Sequence, residues 1–308
     1  NNNNEVIVLV ATSGDTGAAV ANGFLGVKNV KVVILYPSGK VSAIQEKQLT
    51  THGQNISALE VKGTFDDCQA MVKTAFLDKN LNDIMKLTSA NSINVARWLP
   101  QLFYFMFAYK KLYKKHKNLV FSVPSGNFGN VCAGMMAQQL GLPIKHFIAS
   151  NNDNNVVTKY LRTALYKPEL SKQTISNAMD VGDPSNFIRI QELYKNNFKI
   201  LKENLSSFSF SNEETKAAML EIYSRYNYVA DPHGAVGYLG CKSYLENNPT
   251  AYCVFFETAH PTKFLDIVEA VVNKKQILPP QIKSVMKKVK DATKIATYED
   301  FKRYLMTV

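Results

Sequence analysis

Leu119-Val-Phe-Ser-Val-Pro-Ser-Gly-Asn-Phe-Gly-Asn130 hands an apolar run over to a cluster of small and polar residues, and 131–140 beyond it has the pattern of a helix. A strand that feeds a helix through such a turn exposes several unpaired backbone N–H groups beside the positive end of the helix dipole. Gly126 and Gly129 let the main chain close around a phosphate, and Ser125, Asn127 and Asn130 add side-chain hydrogen bonds. A tight turn that binds nothing has the same composition, so the loop alone leaves both readings open.

The flanking sequence sets this turn in an alternating pattern. Strands are expected at 5–11, 31–37, 56–61 and 84–88, each followed by a helix, at 15–25, 41–50, 65–77 and from about Ile93 to Lys115. A second series holds strands at 119–123 and 145–149, less regular sequence over 151–186, helices at 212–226 and 233–245, a strand at 252–256 and a segment 264–272 after it. Alternation at this spacing implies right-handed βαβ units on parallel sheets. The expected class is α/β with two lobes, 1–117 and 118–308, the second ending in a basic tail of short amphipathic helices. Apart from the leading Asn1–Asn4, there is no repeat or low-complexity segment.

With 308 residues, 46% hydrophobic and 20% charged, the chain has apolar material for a sizeable core. Its four cysteines, Cys68, Cys132, Cys241 and Cys253, have no CxxC spacing, so neither a disulfide framework nor a zinc site is expected. No signal-peptide pattern follows the leading asparagines, and Trp98 to Tyr109, interrupted by Pro100 and Gln101, is too short to span a bilayer and reads as a buried helix. A cytoplasmic setting without membrane contact is expected. The net charge of +11 would suit nucleic acid, but it is concentrated at Lys110, Lys111, Lys114, Lys115 and Lys117 and in 274–303, which holds nine basic and three acidic residues. Lysines near a helix end compensate its dipole, so solvated helix ends account for them better than a polyanion site.

Further polar clusters follow the other strands. Ala11-Thr-Ser-Gly-Asp-Thr-Gly17 places hydroxyls, glycines and a carboxylate at a helix start, which also suits plain capping by Ser13 or Asp15. It lacks the Gly-Lys-Ser/Thr ending of a P-loop, and neither glycine loop fits Gly-x-Gly-x-x-Gly. Asn91-Ser-Ile-Asn-Val-Ala-Arg97 offers amides, a hydroxyl and a planar guanidinium for a second dianion, or a capped helix with a surface arginine. All these clusters sit at carboxyl ends of strands, where parallel sheets bind ligands. Asp231-Pro-His-Gly234 reads first as an N-cap with proline at the first helical position, with a catalytic His233 as the lesser reading. In Glu257-Thr-Ala-His-Pro-Thr-Lys-Phe264, Thr258 suits a hydrogen bond to a ring nitrogen, and His260 suits capping.

Together, seven segments in order resemble the threonine synthases, fold type II pyridoxal-phosphate enzymes of tryptophan synthase β-like architecture. They are Ala-Thr-Ser-Gly-Asp-Thr-Gly (11–17), Asn-Ser-Ile-Asn (91–94), Ser-Gly-Asn-Phe-Gly-Asn (125–130), Ala-Met-Asp (178–180), Pro-Ser-Asn (184–186), Asp-Pro-His (231–233) and Thr-Ala-His-Pro (258–261). The resemblance implies conversion of O-phosphohomoserine and water to threonine and phosphate, with pyridoxal 5'-phosphate as cofactor and no metal. It makes Gly126, Asn127, Phe128, Gly129 and Asn130, with Ser125, the cofactor-phosphate cradle and Thr258 the partner of the pyridine nitrogen. Asp15 would approach the ring oxygen, and Ser13, Gly14 and Thr16 the substrate carboxylate. Asn91, Ser92, Asn94 and Arg97 would hold the substrate phosphate. The family's Schiff-base lysine lies in a Phe-Lys-Asp motif that does not occur in this chain, so no catalytic residue is identified and the recorded sequence is expected to be part of a longer protein. Glu257 is a second departure, since the family usually has a small neutral residue there. Another fold type II lyase or dehydratase, or a non-catalytic module binding a phosphorylated metabolite, are the rival readings.

Overall fold

The structure, a computed structural model, describes residues 5–92 and 94–308; Asn1–Asn4 and Ile93, where the long helix was expected to begin, lie outside the described residues. Among the described residues nine strands form in chain order: β1 (Val6–Ala11), β2 (Val30–Pro37), β3 (Ile56–Val61), β4 (Lys86–Ser89), β5 (Leu119–Pro124), β6 (His146–Asn151), β7 (Leu205–Ser209), β8 (Tyr252–Phe255) and β9 (Thr293–Ile295). They make two all-parallel sheets, ordered β4-β1-β2-β3-β9 and β7-β6-β5-β8. Strand β5 and all but the first two residues of β2 are runs of mostly apolar residues buried on both faces, as central parallel strands require.

The chain divides into two compact units, residues 5–91 with 277–308, and residues 92–276. This differs at both ends from the expected lobes 1–117 and 118–308. Strand β9 pairs with β3 through Leu59↔Thr293 to Val61↔Ile295, and Phe301 of helix Tyr298–Leu305 is fully buried. The basic tail is therefore not an appendage of the second lobe. Trp98, Leu102 and Phe105, in turn, join the core of the second unit. There Phe105 meets Phe121, Phe147 and Phe256 edge-on at 5.3, 5.8 and 4.8 Å, contacts each worth about 0.5–1.5 kcal/mol beyond area burial.

Helices start where side chains satisfy their first N–H groups. Ser42 with Gln45, Thr64 with Asp67 and Ser211 with Glu214 form reciprocal capping boxes ahead of Ala43–Thr50, Phe65–Leu77 and Asn212–Tyr226. The single helix expected over 93–115 is instead broken into Val95–Trp98, a 3-10 turn Leu99–Gln101 and Leu102–Leu112. Pro100, with no N–H and a fixed φ, explains the break. Nor is this stretch wholly buried, since Phe103, Tyr104 and Phe107 are each more than half exposed. The region expected to be irregular holds helix Val156–Thr163. No helix among the described residues is long and apolar enough to cross a membrane.

In the first unit the tail is locked by charge. Lys290 Nζ lies 2.7 Å from both Glu46 Oε1 and Glu60 Oε2, and Ser38 Oγ donates to Glu60 Oε1 at 2.5 Å. Burial works against the Glu60 carboxylate, yet the Lys290 and Ser38 hydrogen bonds hold it below the usual carboxylate range. Removing the cation leaves Glu60 buried beside Glu46, which places the loss between that of an exposed and a buried ion pair. Lys290→Ala is therefore expected to lower stability by about 1–3 kcal/mol, read as a shift in the urea midpoint of the first unit's unfolding; an unchanged midpoint would contradict this account of how the tail is held.

Candidate functional site

In the second unit, β5 runs into helix Gly129–Gln139 through the turn 125–128. Phe128 caps the helix in the left-handed region, φ 61° and ψ 14°, with its ring buried edge-on against Phe187 at 5.6 Å. Among the described residues, the N–H groups of Gly126 to Asn130 find no acceptor, and Asn130 Oδ1 is buried without a hydrogen-bond partner. Five adjacent donors at the start of a three-turn helix form a concave anion site. Gly126 is required by proximity: a Cβ there would meet Ala178 O at 2.7 Å and Met179 Cα at 2.9 Å.

Ser125 differs from its expected role. Its hydroxyl donates to Val123 O at 2.7 Å and its N–H to Ser150 O at 2.9 Å. With both donors engaged, it frames the loop. Asn127 Oδ1 accepts from Ser185 N and Oγ at 3.3 and 3.1 Å, which leaves its amide nitrogen as the donor. Because β8 lies beside β5 in parallel, the exposed Thr258 leaves the same edge of the sheet as this loop.

The 92–97 segment meets the same loop. A Cβ on Gly129 would approach Ser92 Cβ to 3.3 Å. Ser92 Oγ accepts from Asn186 Nδ2 at 2.9 Å, Asn94 caps Val95–Trp98 through Ala96 N at 3.0 Å, and Arg97 Nε is buried with no hydrogen-bond partner. Burial also pulls the Arg97 guanidinium below its ordinary value, the direction expected for a cation that lacks an anion. Two residues to which the sequence assigned no role hold this segment: Asn186, the fully buried last residue of the Pro-Ser-Asn segment, and Arg189, which donates to Ser92 O at 3.1 Å and to Asn186 Oδ1 and lies 5.9 Å over the Trp98 ring.

In the first unit, the loop after β1 is organised by Thr12, whose Oγ1 accepts from Gly14 N and Gly17 N, both at 2.9 Å. Gly14, at φ 131° and ψ −67°, adopts a conformation open to glycine, and a Cβ there would strike Gln45 Cδ at 2.5 Å. Gln45, wholly buried, donates to Asp15 Oδ1 at 3.0 Å. Ser13 and Thr16 flank this pair in the same turn. Asn91, expected among the anion ligands, spends its side chain on the Ala11 main chain, accepting from its N–H and donating to its carbonyl. It ties β4 to β1. Thr12, within the 11–17 segment, and Gln45, outside it, were given no role from the sequence, where nothing marks which partner a hydroxyl or amide will find.

His233 and His260 are both engaged locally. Asp231 Oδ1 accepts from His233 N at 2.8 Å and lies 2.7 Å from Nδ1, while Ala178 N donates to Nε2 at 3.2 Å. Those partners place the proton on Nδ1 and fill the other lone pair, so His233 is a structural element that braces the Ala178–Met179 backbone behind Gly126. His260 Nδ1 accepts from Thr262 N at 3.2 Å and caps a 3-10 turn. Asp180, of the Ala-Met-Asp segment, receives Thr174 Oγ1 at 2.7 Å, Thr174 N and Asn152 Nδ2 both at 2.9 Å, and Asn154 Nδ2 at 3.2 Å. Burial raises it to about 6 against those bonds. Among the described residues there is no cluster of three or more metal-ligating side chains.

Residues 1–255 match the family described as pyridoxal-phosphate dependent enzyme, and 234–305 match threonine synthase, C-terminal. Threonine synthase of Buchnera aphidicola subsp. Baizongia pistaciae is 46% identical over 286 residues, covering 92% of this chain and 66% of that relative. The chain spans just under two thirds of the length of the curated relatives it matches. The crystal structure of threonine synthase from Escherichia coli aligns at TM-score 0.93 and 42% identity, covering 99% of this chain and 70% of that one. Threonine synthase from Brucella melitensis, solved with PLP bound, aligns at TM-score 0.85 and 32% identity, with 98% and 70% covered.

Glu257 turns its carboxyl inward, where a Cβ on Gly234 would meet it at 2.1 Å. Burial first, then the neighbouring Asp231, push Glu257 well above the usual carboxylate range. Burial opposes ionisation of Asp231 too, but the hydrogen bonds from the His233 ring and main chain prevail and hold it below that range. Glu257 is therefore the carboxyl of the two that keeps its proton. An unfolded chain releases it near pH 4.3 while the native state retains it, so this group's contribution is full below that pH and is lost as pH rises, by up to about 1.4 kcal/mol per unit. Glu257→Gln keeps a donor toward Asp231 and removes the titration. The substituted protein is expected to match the parent's thermal midpoint near pH 5 and to exceed it by several degrees at pH 8.5; parallel midpoint curves across that range would refute the assignment.

Proposed function

This chain belongs to the pyridoxal-phosphate dependent enzyme family, and from that premise we propose that the whole protein is a cytoplasmic threonine synthase, converting O-phosphohomoserine and water to threonine and phosphate. The observation that carries the reading is the presence of two anion-binding constellations against one another in residues 92–276. One is the row of free N–H groups from Gly126 to Asn130. The other is Ser92 with Arg97, whose buried Nε lacks an acceptor. A cofactor phosphate and a substrate phosphate are the two dianions that this chemistry demands at neighbouring positions.

The residues present fit the phosphate end of pyridoxal phosphate. The left-handed Phe128 cap and the close-packed Gly126 shape the cradle before any ligand arrives, so no reorganisation is needed when the anion binds. When bound, the cofactor supplies an electron sink next to the substrate's α-carbon. Thr258 would serve as a neutral partner of the pyridine nitrogen, moderating that sink without protonating the ring, and the resemblance assigns the ring oxygen to Asp15, whose carboxylate Gln45 orients. The resemblance assigns the substrate carboxylate to Ser13, Gly14 and Thr16. Ser92 and Arg97 would hold the substrate phosphate before it leaves, with Asn94 at the head of the short helix.

A half-buried guanidinium that gains a dianion recovers a charge-assisted hydrogen bond, worth about 1.5–3 kcal/mol. Arg97→Ala in the full-length protein is expected to raise KM for O-phosphohomoserine about 10- to 100-fold, while pyridoxal phosphate still binds. An unchanged KM would remove Arg97 from the site. A parent protein that deaminates threonine and releases no phosphate from O-phosphohomoserine would overturn the proposed reaction in favour of a dehydratase.

A further inference from the structure

Asn186 occupies a position that the assigned roles do not use. It is wholly buried, and its one primary amide donates to Ser92 Oγ at 2.9 Å and to Asn127 O at 3.0 Å. Its backbone N–H adds a second bond to Asn127 O at 3.3 Å. The side-chain oxygen accepts from Arg189, which also holds Ser92 O. That partner sets the orientation of the amide. A flipped amide would turn an NH2 group toward the guanidinium and its oxygen toward the Asn127 carbonyl oxygen, losing two bonds and creating two repulsive contacts.

Each of the two bonds aims a donor elsewhere. The Asn127–Phe128 peptide is planar and trans, so pinning the Asn127 carbonyl directs the Phe128 N–H to the opposite side. That N–H belongs to the row without acceptors at the head of Gly129–Gln139. A hydroxyl oxygen that accepts from Asn186 keeps its own hydrogen free to turn away, so Ser92 is left as a donor. We propose that Asn186 is the positioning residue that couples the two phosphate sites: one buried amide sets the cofactor-phosphate loop through Asn127 and the substrate-phosphate loop through Ser92. The proposal rests on the reading of residues 92–97 as the substrate-phosphate site. By linkage, occupation of either site favours the other, because both depend on the same amide being in place.

The test uses the full-length protein, with pyridoxal phosphate affinity measured by equilibrium dialysis and steady-state kinetics measured at saturating cofactor. Asn186→Ala is expected to weaken pyridoxal phosphate binding and to raise KM for O-phosphohomoserine, each by about tenfold, with kcat changed less than about threefold. A purely structural asparagine would lower the thermal midpoint and leave both constants in place, and that result overturns the proposal. If Asn186→Ala does not fold, Ser92→Ala reads the same link from its other end. Ser92 touches no cofactor atom in the proposed arrangement, so a two- to threefold loss of pyridoxal phosphate affinity in Ser92→Ala, about one weakened hydrogen bond, supports coupling, and no loss overturns it. If cofactor affinity shifts while Ser92→Ala and Arg97→Ala both leave KM unchanged, the substrate phosphate binds elsewhere; coupling to it is then overturned, with the cofactor half of the function intact.

Discussion

The turn from β5 into helix Gly129–Gln139 is the constraint on which the second unit's chemistry depends. A helix start whose five N–H groups find no acceptor among the described residues, capped by a left-handed phenylalanine, is an unfavourable arrangement for a chain to hold on its own. It persists because it is held from several sides. The Phe128 ring is buried against Phe187, Ser125 is bonded to Val123 and Ser150, Gly126 packs on the Ala178 carbonyl, and Asn127 is bonded to Ser185 and Asn186. These supports come from widely separated parts of the sequence. The cradle is therefore a property of the folded unit, although its donors occupy five consecutive residues.

Much of this architecture is legible in the sequence. Helix Phe65–Leu77, helix Asn212–Tyr226 and strand Ile56–Val61 lie within the expected bounds, because each combines clear periodicity with a capping or turn signal. The polar loops stand out because small and hydroxyl residues concentrate at the carboxyl ends of parallel strands, where a turn can close on an anion. What escaped reading has weak local signals. Leu205-Ser-Ser-Phe-Ser209 is half polar and only partly buried, and β9 has three residues, so each becomes a strand only because a neighbouring edge is there to pair with. The lobe boundaries shifted for the same reason: 277–308 completes a sheet begun near residue 6, and Trp98, Leu102 and Phe105 fill a core built around β5 and β6.

The candidate site follows the same rule. Residue type marks the ligand-facing set, but partnership decides which donors remain available. Ser125 and Asn91 looked like ligands and are engaged by the backbone. Thr12 and Asn186 stand in recognised segments without a role of their own, Gln45 and Arg189 stand outside them, and all four turn out to orient the loops. A hydroxyl or amide advertises what it can bond to, never which group will arrive beside it. That information lies in pairings such as Ser92 with Asn186, ninety-four residues apart.

The Asp231–His233–Glu257 group extends this logic to charge. Two carboxyls in one buried pocket cannot both ionise cheaply, and here the asymmetry is set by His233, which gives its Nδ1–H to Asp231 and so assigns the negative charge to that residue. With Nε2 then free of a proton, His233 can accept from Ala178 N, and the peptide that contacts Gly126 gains a fixed anchor. A protonated imidazole would lose that acceptor. Keeping the proton on Glu257, one residue before Thr258, also spares the edge of the sheet at β8 a second buried negative charge. The unusual carboxyl and the histidine thus act on the same loop from behind: one stays neutral so that the other can stay neutral too, and the phosphate cradle keeps its shape.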